Sequence, residues 1–385
     1  EEYGLDPFIT KCKESVWKYK GMWEDFSQTV GFWADMDDPY VTYHDDFIES
    51  EWWALKTIWD KGLLYKGYKV VPYCPRCGTP LSAQEVAQGY KSVKERSAVV
   101  RFQVVGEDAY FLAWTTTPWT LPSNVALAVN PEIDYVEVKV KSDEQTLILA
   151  KNAIKYLGED KLEVLRMFKG EELVGRKYET CFPELEAQQG FEHKIVAWED
   201  VDAEEGTGVV HIAPGCGAED NELGKRLGLP EIMPVDDMGI FLKGFGFFTG
   251  KNSKTIADEV FEELKKRDKL YLIKPHEHSY PVCWRCKEEL IYRLVPSWFI
   301  TTEELKPRLI RNAMSVKWEP ESNGKRMLDW LENMSDWNIS RKRFYGLPLP
   351  FYPCPDCGKL TVIGSKEELY ELSVDKAKVL QFCIA

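Results

Sequence analysis

Three segments concentrate side chains that can bind or react. The first is Trp114-Thr115-Thr116-Thr117-Pro118-Trp119-Thr120-Leu121-Pro122-Ser123-Asn124. Four threonines fall within residues 115–120. A hydroxyl both donates and accepts, so such a cluster can hold a water, a ribose or an ester carbonyl. Pro118 and Pro122 forbid the continuation of a strand ladder or a helix, so the backbone must turn and expose amides and hydroxyls together. A β-branched strand end before a Pro-rich turn accounts for the same residues without a ligand.

The second segment runs from Gly206 to Asp220. A strand rises to His211, a loop passes through Ala213, Pro214, Gly215 and Gly217, and Glu219 and Asp220 follow. Glycines let backbone approach a ligand closely. A carboxylate at the end of such a loop can pair with an ammonium through charge-assisted hydrogen bonds. The competing account is a helix N-terminus whose acids favour the dipole, with a structural histidine at the strand end.

The third signal is thiol spacing. Six of the ten cysteines form three Cys-x-x-Cys pairs, Cys74/Cys77, Cys283/Cys286 and Cys354/Cys357. The first two pairs read as the halves of one closed, tetrahedral, structural zinc site. Cys354 and Cys357 read as a second half-site, whose partners would lie beyond residue 385 if it holds metal at all. Cys12, Cys181, Cys216 and Cys383 read as unpaired thiols. An acidic chain with no secretory signal argues against a disulfide framework and for a reducing cytoplasm.

These segments need elements to position them. Ile48, Trp52, Leu55 and Trp59 recur at helical spacing, with Gly62 placed to end the helix. Leu64–Tyr73 reads as a strand leading into Cys74. Val100, Phe102 and Val104 alternate with Arg101 and Gln103, the pattern of a half-buried strand. Strands are also expected at 110–114, 136–140, 147–150 and 208–213. Ile256, Val260 and Leu264 mark a helix that Asn252 or Ser253 could cap. The expected organisation is 1–90, a strand-rich middle unit over 91–280, and 281–385. The two cysteine pairs at the neck make the middle unit an insertion.

Composition sets the remaining bounds. The chain has 385 residues, is 44% hydrophobic and 13% aromatic, and is therefore globular. No apolar run reaches the roughly 20 residues that span a bilayer. The net charge of −14 is the wrong sign for a broad nucleic-acid surface, though not for a grip on one RNA end. Lys11-Cys12-Lys13 and Arg341-Lys342-Arg343 are the local basic patches, the first best read as solvated surface. The start, Glu1-Glu2-Tyr3-Gly4, has no Met and no signal-peptide pattern, and reads as a cut boundary.

Taken together, these residues resemble isoleucyl-tRNA synthetase over essentially the whole chain. Gly31-Phe32-Trp33-Ala34-Asp35 and Pro39-Tyr40-Val41-Thr42 are similar to a stretch of the family's catalytic domain. Trp114–Asn124 and Gly206–Asp220 resemble its two editing motifs. The Trp-Thr-Thr-Thr-Pro-Trp-Thr form points to the isoleucine enzyme rather than its valine and leucine relatives, which usually carry Thr-Arg-Pro. Asp336-Trp337-Asn338-Ile339-Ser340-Arg341 and Arg343-Phe344-Tyr345-Gly346 resemble the return into the catalytic fold. The ATP motifs His-Ile-Gly-His and Lys-Met-Ser-Lys-Ser are both absent.

The resemblance implies a strand-rich, β-barrel-like α/β editing domain inserted into a partial Rossmann-like catalytic domain, with a four-cysteine zinc knuckle at the neck. It implies hydrolysis of valine misattached to tRNA(Ile), with ATP-dependent isoleucine ligation left to the full-length parent. On this resemblance Asp220 binds the α-ammonium. Thr115, Thr116, Thr117, Thr120 and Asn124 hold the terminal adenosine, the ester and a water. His211 and the Ala213-Pro214-Gly215 loop limit side-chain size. The expected partners are the 3′ end of tRNA(Ile) and a valine or isoleucine ester, with no membrane, for a cytoplasmic monomer. The rival readings are a valyl- or leucyl-type editing domain and a zinc-pinned module that docks tRNA without chemistry.

Overall fold

The alternation of Val100, Phe102 and Val104 does produce a strand, Tyr90–Val104, and all three side chains are buried. The opposite face is less exposed than the pattern implies. Arg101 is 8% exposed, its guanidinium bonded to the Asp268 carboxylate at 2.7 Å and stacked over Tyr271. Pairing the charge lets the arginine stem be covered, so the strand is buried on both faces there. The computed structural model describes residues 3–142, 144–334, 336–340 and 345–383, without the side chains of Ala83, Tyr156, Glu159 and residues 381–383. The basic run Arg341-Lys342-Arg343, Phe344 and the Cys383 thiol therefore lie outside the described residues.

The chain divides into two compact units, 1–67 with 296–385, and 68–295. In the second unit Tyr90–Val104 pairs antiparallel with Ala109–Thr115, Leu270–Pro281 and Tyr178–Glu179. Lys177 bridges to Lys194, and Lys194–Ala197 runs parallel to Ala126–Val129. Ala126–Val129 pairs antiparallel with Val210–Ile212, which meets Ala109–Thr115 in parallel at Val210 and Trp114. The ladder thus returns to its starting strand, a ring of mixed direction. A branch leaves Ala109–Thr115 through Thr146–Ala150 and Asp134–Val140 to Leu162–Lys169. Phe102, Phe111, Leu127, Tyr135, Leu147, Ile148 and Leu149 fill the core.

Two details aim the second chemistry-bearing segment. Gly208 has φ +67°, and a Cβ there would stand 2.3 Å from Ala150 Cβ, so only glycine lets this backbone lie on the sheet. The Tyr135 hydroxyl then donates to the Gly208 carbonyl at 2.6 Å. The expected helix is Ala257–Lys266, burying Val260, Phe261 and Leu264. Its expected cap is not used. The helix starts beyond Asn252 and Ser253, and Asn252 instead turns its side chain to the Lys254 amide.

In the first unit Trp52 and Leu55 are the buried residues of helix Asp45–Asp60, and Gly62 follows it at φ +71°. Helix Leu5–Thr29 buries none of its side chains. Phe299 and Ile300 pair antiparallel with Asn338 and Trp337, and Phe351–Pro353 pairs antiparallel with Leu360–Val362. Among the described residues no helix is long and apolar enough to cross a membrane.

Candidate functional site

The threonine-rich segment and the 206–220 segment reach the same hollow because their strands, Ala109–Thr115 and Val210–Ile212, are ladder neighbours. Past Thr115 the chain forms a 3-10 turn over Pro118–Ser123. The two prolines do not forbid this turn. Pro118 starts it, where a missing N–H costs nothing, and Pro122 sits inside it. Thr115 Oγ1 accepts from the Thr117 amide at 3.1 Å, and Thr120 Oγ1 donates to the Thr117 carbonyl at 2.8 Å.

A cleft of about 340 Å³ lies between the segments. Thr115, Thr116, Thr117, Thr120, His211, Ala213 and Asp220 line it. Asn124, Pro214 and Gly215 do not. Asn124 is fully buried behind His211. The Pro214 carbonyl accepts from Asn221 at 3.0 Å, and the Gly215 carbonyl accepts from the Leu294 amide at 3.1 Å. A Cβ on Gly215 would stand 1.9 Å from the Ile232 carbonyl oxygen. Gly215 therefore permits close packing away from the cleft.

Asp220 lies in the first turn of helix Ala218–Leu227, so the dipole account of its position also holds. Its carboxylate does more than face the dipole. Oδ2 turns back and accepts from the Ala213 amide at 2.7 Å. A Cβ on Gly217 would meet Asp220 Cγ at 2.8 Å, so this return needs glycine at 217. Burial raises the Asp220 pKa to about 6, the Ala213 hydrogen bond opposing and nearby Glu219 adding to the rise. Above that pH the enclosed anion is a ready partner for an ammonium group.

Behind the cleft His211 Nε2 lies 3.0 Å from Thr120 Oγ1, and Nδ1 lies 2.8 Å from Asn124 Nδ2. Burial lowers the His211 pKa to about 4, slightly offset by Thr120, so the ring is neutral at physiological pH. Cys216 also lines the cleft, and burial raises its thiol pKa, so it stays protonated. Residue spacing did not reveal the opposite wall, Trp198, Asp200, Asp202 and Glu205. The signal available was the acidic run from Glu199 to Glu205, which reads as solvated surface and does stay exposed, with Asp200, Asp202 and Glu205 at the edge of the cleft.

A larger hollow of about 990 Å³ lies between the 184–186 turn, residues 243–251 and helix Ala257–Lys266. It is more open, and much of its charge is already paired, as in Arg267–Glu184 and Lys251–Glu259. It lacks the convergence of hydroxyls and an enclosed carboxylate that marks the smaller cleft.

Cys74, Cys77, Cys283 and Cys286 place their sulfur atoms within 4.8 Å of one another. Cys286 Sγ lies 3.5 Å from both Cys74 Sγ and Cys77 Sγ. Four thiolates around a zinc ion stand about 3.8 Å apart, so modest spreading would seat the metal. Gly78 at φ +66° and Lys287 at φ +60° donate back to the Cys74 and Cys283 carbonyls, forming two matching knuckles. Gly358 donates likewise to Cys354 at φ +71°. No second pair completes the Cys354/Cys357 half-site among the described residues. Cys12, Cys181 and Cys216 are free thiols.

The chain is 48% identical over 378 residues to an isoleucine–tRNA ligase of Clostridium novyi, covering 97% of this chain and 36% of that protein. It is 46% identical over 377 residues to the ligase of Clostridium tetani, with the same coverage. The chain thus spans about a third of the length of the curated relatives it matches. The solved P. knowlesi cytosolic leucyl-tRNA synthetase editing domain overlaps 49% of this chain and 99% of its own, at 13% identity and a TM-score of 0.38. The family model of class I tRNA synthetases for isoleucine, leucine, methionine and valine matches residues 1–381, and the chain belongs to that family.

Proposed function

We propose that the 68–295 unit is the hydrolytic proofreading module of an isoleucine-type synthetase, which removes valine esterified to the 3′ end of tRNA(Ile). The observation that carries this reading is the single cleft shared by the Thr115–Thr120 turn and the His211–Asp220 loop, with an enclosed carboxylate at one side. An aminoacyl ester presents an ammonium, a carbonyl and ribose hydroxyls, and the cleft offers a carboxylate and a row of threonine hydroxyls.

In this reading Asp220 takes the α-ammonium and the threonines hold the terminal adenosine and a water. The water oxygen bonds to the ester carbonyl carbon, and the bond from that carbon to the ribose oxygen breaks. Valine leaves as a carboxylic acid and the ribose regains its hydroxyl. No protein nucleophile is needed, because positioning and oriented hydrogen bonds suffice for an activated ester. Neutral His211 and protonated Cys216 fit that role division.

The selectivity problem is a size difference of one methylene. A binding pocket resolves it by only about 1–3 kcal/mol, and isoleucine against valine in this family is itself the standard example of that limit. A second, smaller cleft acts as the other sieve. The full-length parent would ligate isoleucine to tRNA(Ile) with ATP, its Rossmann-like activation domain including the 1–67 and 296–385 segments. The four clustered cysteines would hold a structural zinc.

The test is deacylation by this chain of valyl-tRNA(Ile), isoleucyl-tRNA(Ile), and mischarged tRNA(Val) and tRNA(Leu). Valyl-tRNA(Ile) is expected to be hydrolysed fastest. Preference for a mischarged tRNA(Val) or tRNA(Leu) would move the chain to another branch, and inactivity on all would leave a docking module. His211→Ala opens the cleft wall, and hydrolysis of isoleucyl-tRNA(Ile) is expected to rise by about tenfold, the value of one methylene. If the correct ester stays protected in that variant, His211 is not part of the size filter.

A further inference from the structure

The hydrogen bonds behind the cleft define a direction. Asn124 Nδ2 lies 2.9 Å from the Ala126 carbonyl, which can only accept, so this contact favours the amide orientation with its nitrogen toward Ala126. The second N–H of that amide points at His211 Nδ1, 2.8 Å away. Nδ1 must therefore accept, and the neutral ring carries its proton on Nε2. That proton is donated to Thr120 Oγ1 at 3.0 Å, and the Thr120 hydroxyl gives its own proton to the Thr117 carbonyl at 2.8 Å. At the far end the Tyr178 hydroxyl donates to Asn124 Oδ1 at 2.6 Å. Tyr178 is 3% exposed, separated from the cleft strand Ala109–Thr115 by Tyr90–Val104, and absent from the cleft's lining.

We propose that Tyr178 is a positioning residue: through Asn124 it locks His211 in the Nε2–H tautomer, so that Thr120 faces the cleft only as a hydrogen-bond acceptor. The inference deepens the proofreading reading and rests on it for the identity of the ligand. An acceptor at Thr120, with the acceptor carboxylate of Asp220 across the cleft, selects a ligand group that brings its own proton. On an aminoacyl ester undergoing hydrolysis, the group left to meet Thr120 is an O–H donor, either the attacking water or a ribose hydroxyl. A donor at Thr120 would have bound the ester carbonyl instead. The tautomer thus decides which part of the substrate the threonine meets.

The experiment joins imidazole 15N spectroscopy with deacylation kinetics on the whole chain. The wild-type His211 signal is expected to show a protonated Nε2 and a bare, accepting Nδ1. Tyr178→Phe keeps the buried ring but leaves Asn124 Oδ1 without its donor, so only the Ala126 carbonyl still opposes rotation of the amide. The His211 spectrum is then expected to shift toward the Nδ1–H form. The kcat/KM for valyl-tRNA(Ile) should fall about tenfold, the loss of one oriented hydrogen bond. A fall in kcat assigns the O–H to water, and a rise in KM assigns it to ribose. Asn124→Asp, which offers two acceptors, should drive the same tautomer change if Tyr178→Phe folds poorly. A wild-type ring protonated on Nδ1, or a Tyr178→Phe protein with unchanged spectrum and unchanged kinetics, would overturn the assignment. A tautomer change with unchanged deacylation would uphold the grip of Tyr178 on His211 but overturn its link to the substrate, while inactivity of the wild-type chain on valyl-tRNA(Ile) would instead remove the proofreading reading.

Discussion

Asp220→Asn is expected to lower kcat/KM for valyl-tRNA(Ile) hydrolysis by about 10²-fold or more, while making the folded protein more stable at neutral pH. Both effects come from one enclosed charge. Removing one partner of a buried charge pair typically costs about 2–5 kcal/mol, and each 1.36 kcal/mol is tenfold in rate. Asparagine keeps an oxygen for the Ala213 amide but offers no charge to an ammonium. The stability effect has the opposite sign. Burial raises the Asp220 pKa from an ordinary value near 4 to about 6. The folded state therefore binds this proton more tightly than the unfolded chain. Stability from this group is fully present at low pH and declines as pH rises through that window. Asparagine abolishes the decline, so a gain on the order of 2 kcal/mol is expected above pH 6 and none below pH 4. Denaturant midpoints at pH 4 and pH 7.5 check the sign. Wild-type hydrolysis should also fall, with a slope of one proton, as pH drops below about 6. A variant that hydrolyses the ester at the wild-type rate would remove Asp220 from the ammonium site.

The double replacement Cys74→Ser with Cys283→Ser is expected to lower the melting temperature by roughly 10 °C. Both residues are buried, one from each knuckle, and they join segments roughly 200 residues apart in sequence. A zinc ion joining them across a loop of that length would contribute about 5 kcal/mol in the chain-entropy account. For a unit of this size each kcal/mol corresponds to about 2–4 °C. That link would exist only with the metal bound, because the four thiols are otherwise free and a preformed thiolate site does not survive unfolding. Metal analysis of the wild-type chain should return about one zinc, and a strong chelator should reproduce the loss of stability. An unchanged melting temperature in the double variant, with no zinc in the parent, would make the cluster a packing feature only.

Spacing alone revealed the cleft's chemistry-bearing ends but not its depth. Thr115–Thr120 and His211–Asp220 stand out in sequence because glycine, proline and hydroxyls crowd there. Their meeting is invisible until Val210 pairs with Trp114, a contact between positions nearly a hundred residues apart. Strands such as Asp134–Val140 were legible because alternation survives where one face packs. Arg101 misled, since a charged side chain in a strand reads as solvated until Asp268 and Tyr271 cover it. Asn124 and Gly215 were legible as special but not as support, because distance from a ligand leaves no mark on composition. Tyr178 left no sequence signal at all, being one aromatic among 18 tyrosines.

The ring of strands has a consequence for how this unit can be inherited. Its chain enters at Tyr68 and leaves at Val295, and the knuckles clasp those two ends side by side. A body whose entrance and exit share one doorway asks almost nothing of the polypeptide that carries it. It behaves as a cassette, free to be spliced into a surface turn, enlarged or trimmed without redrawing its host.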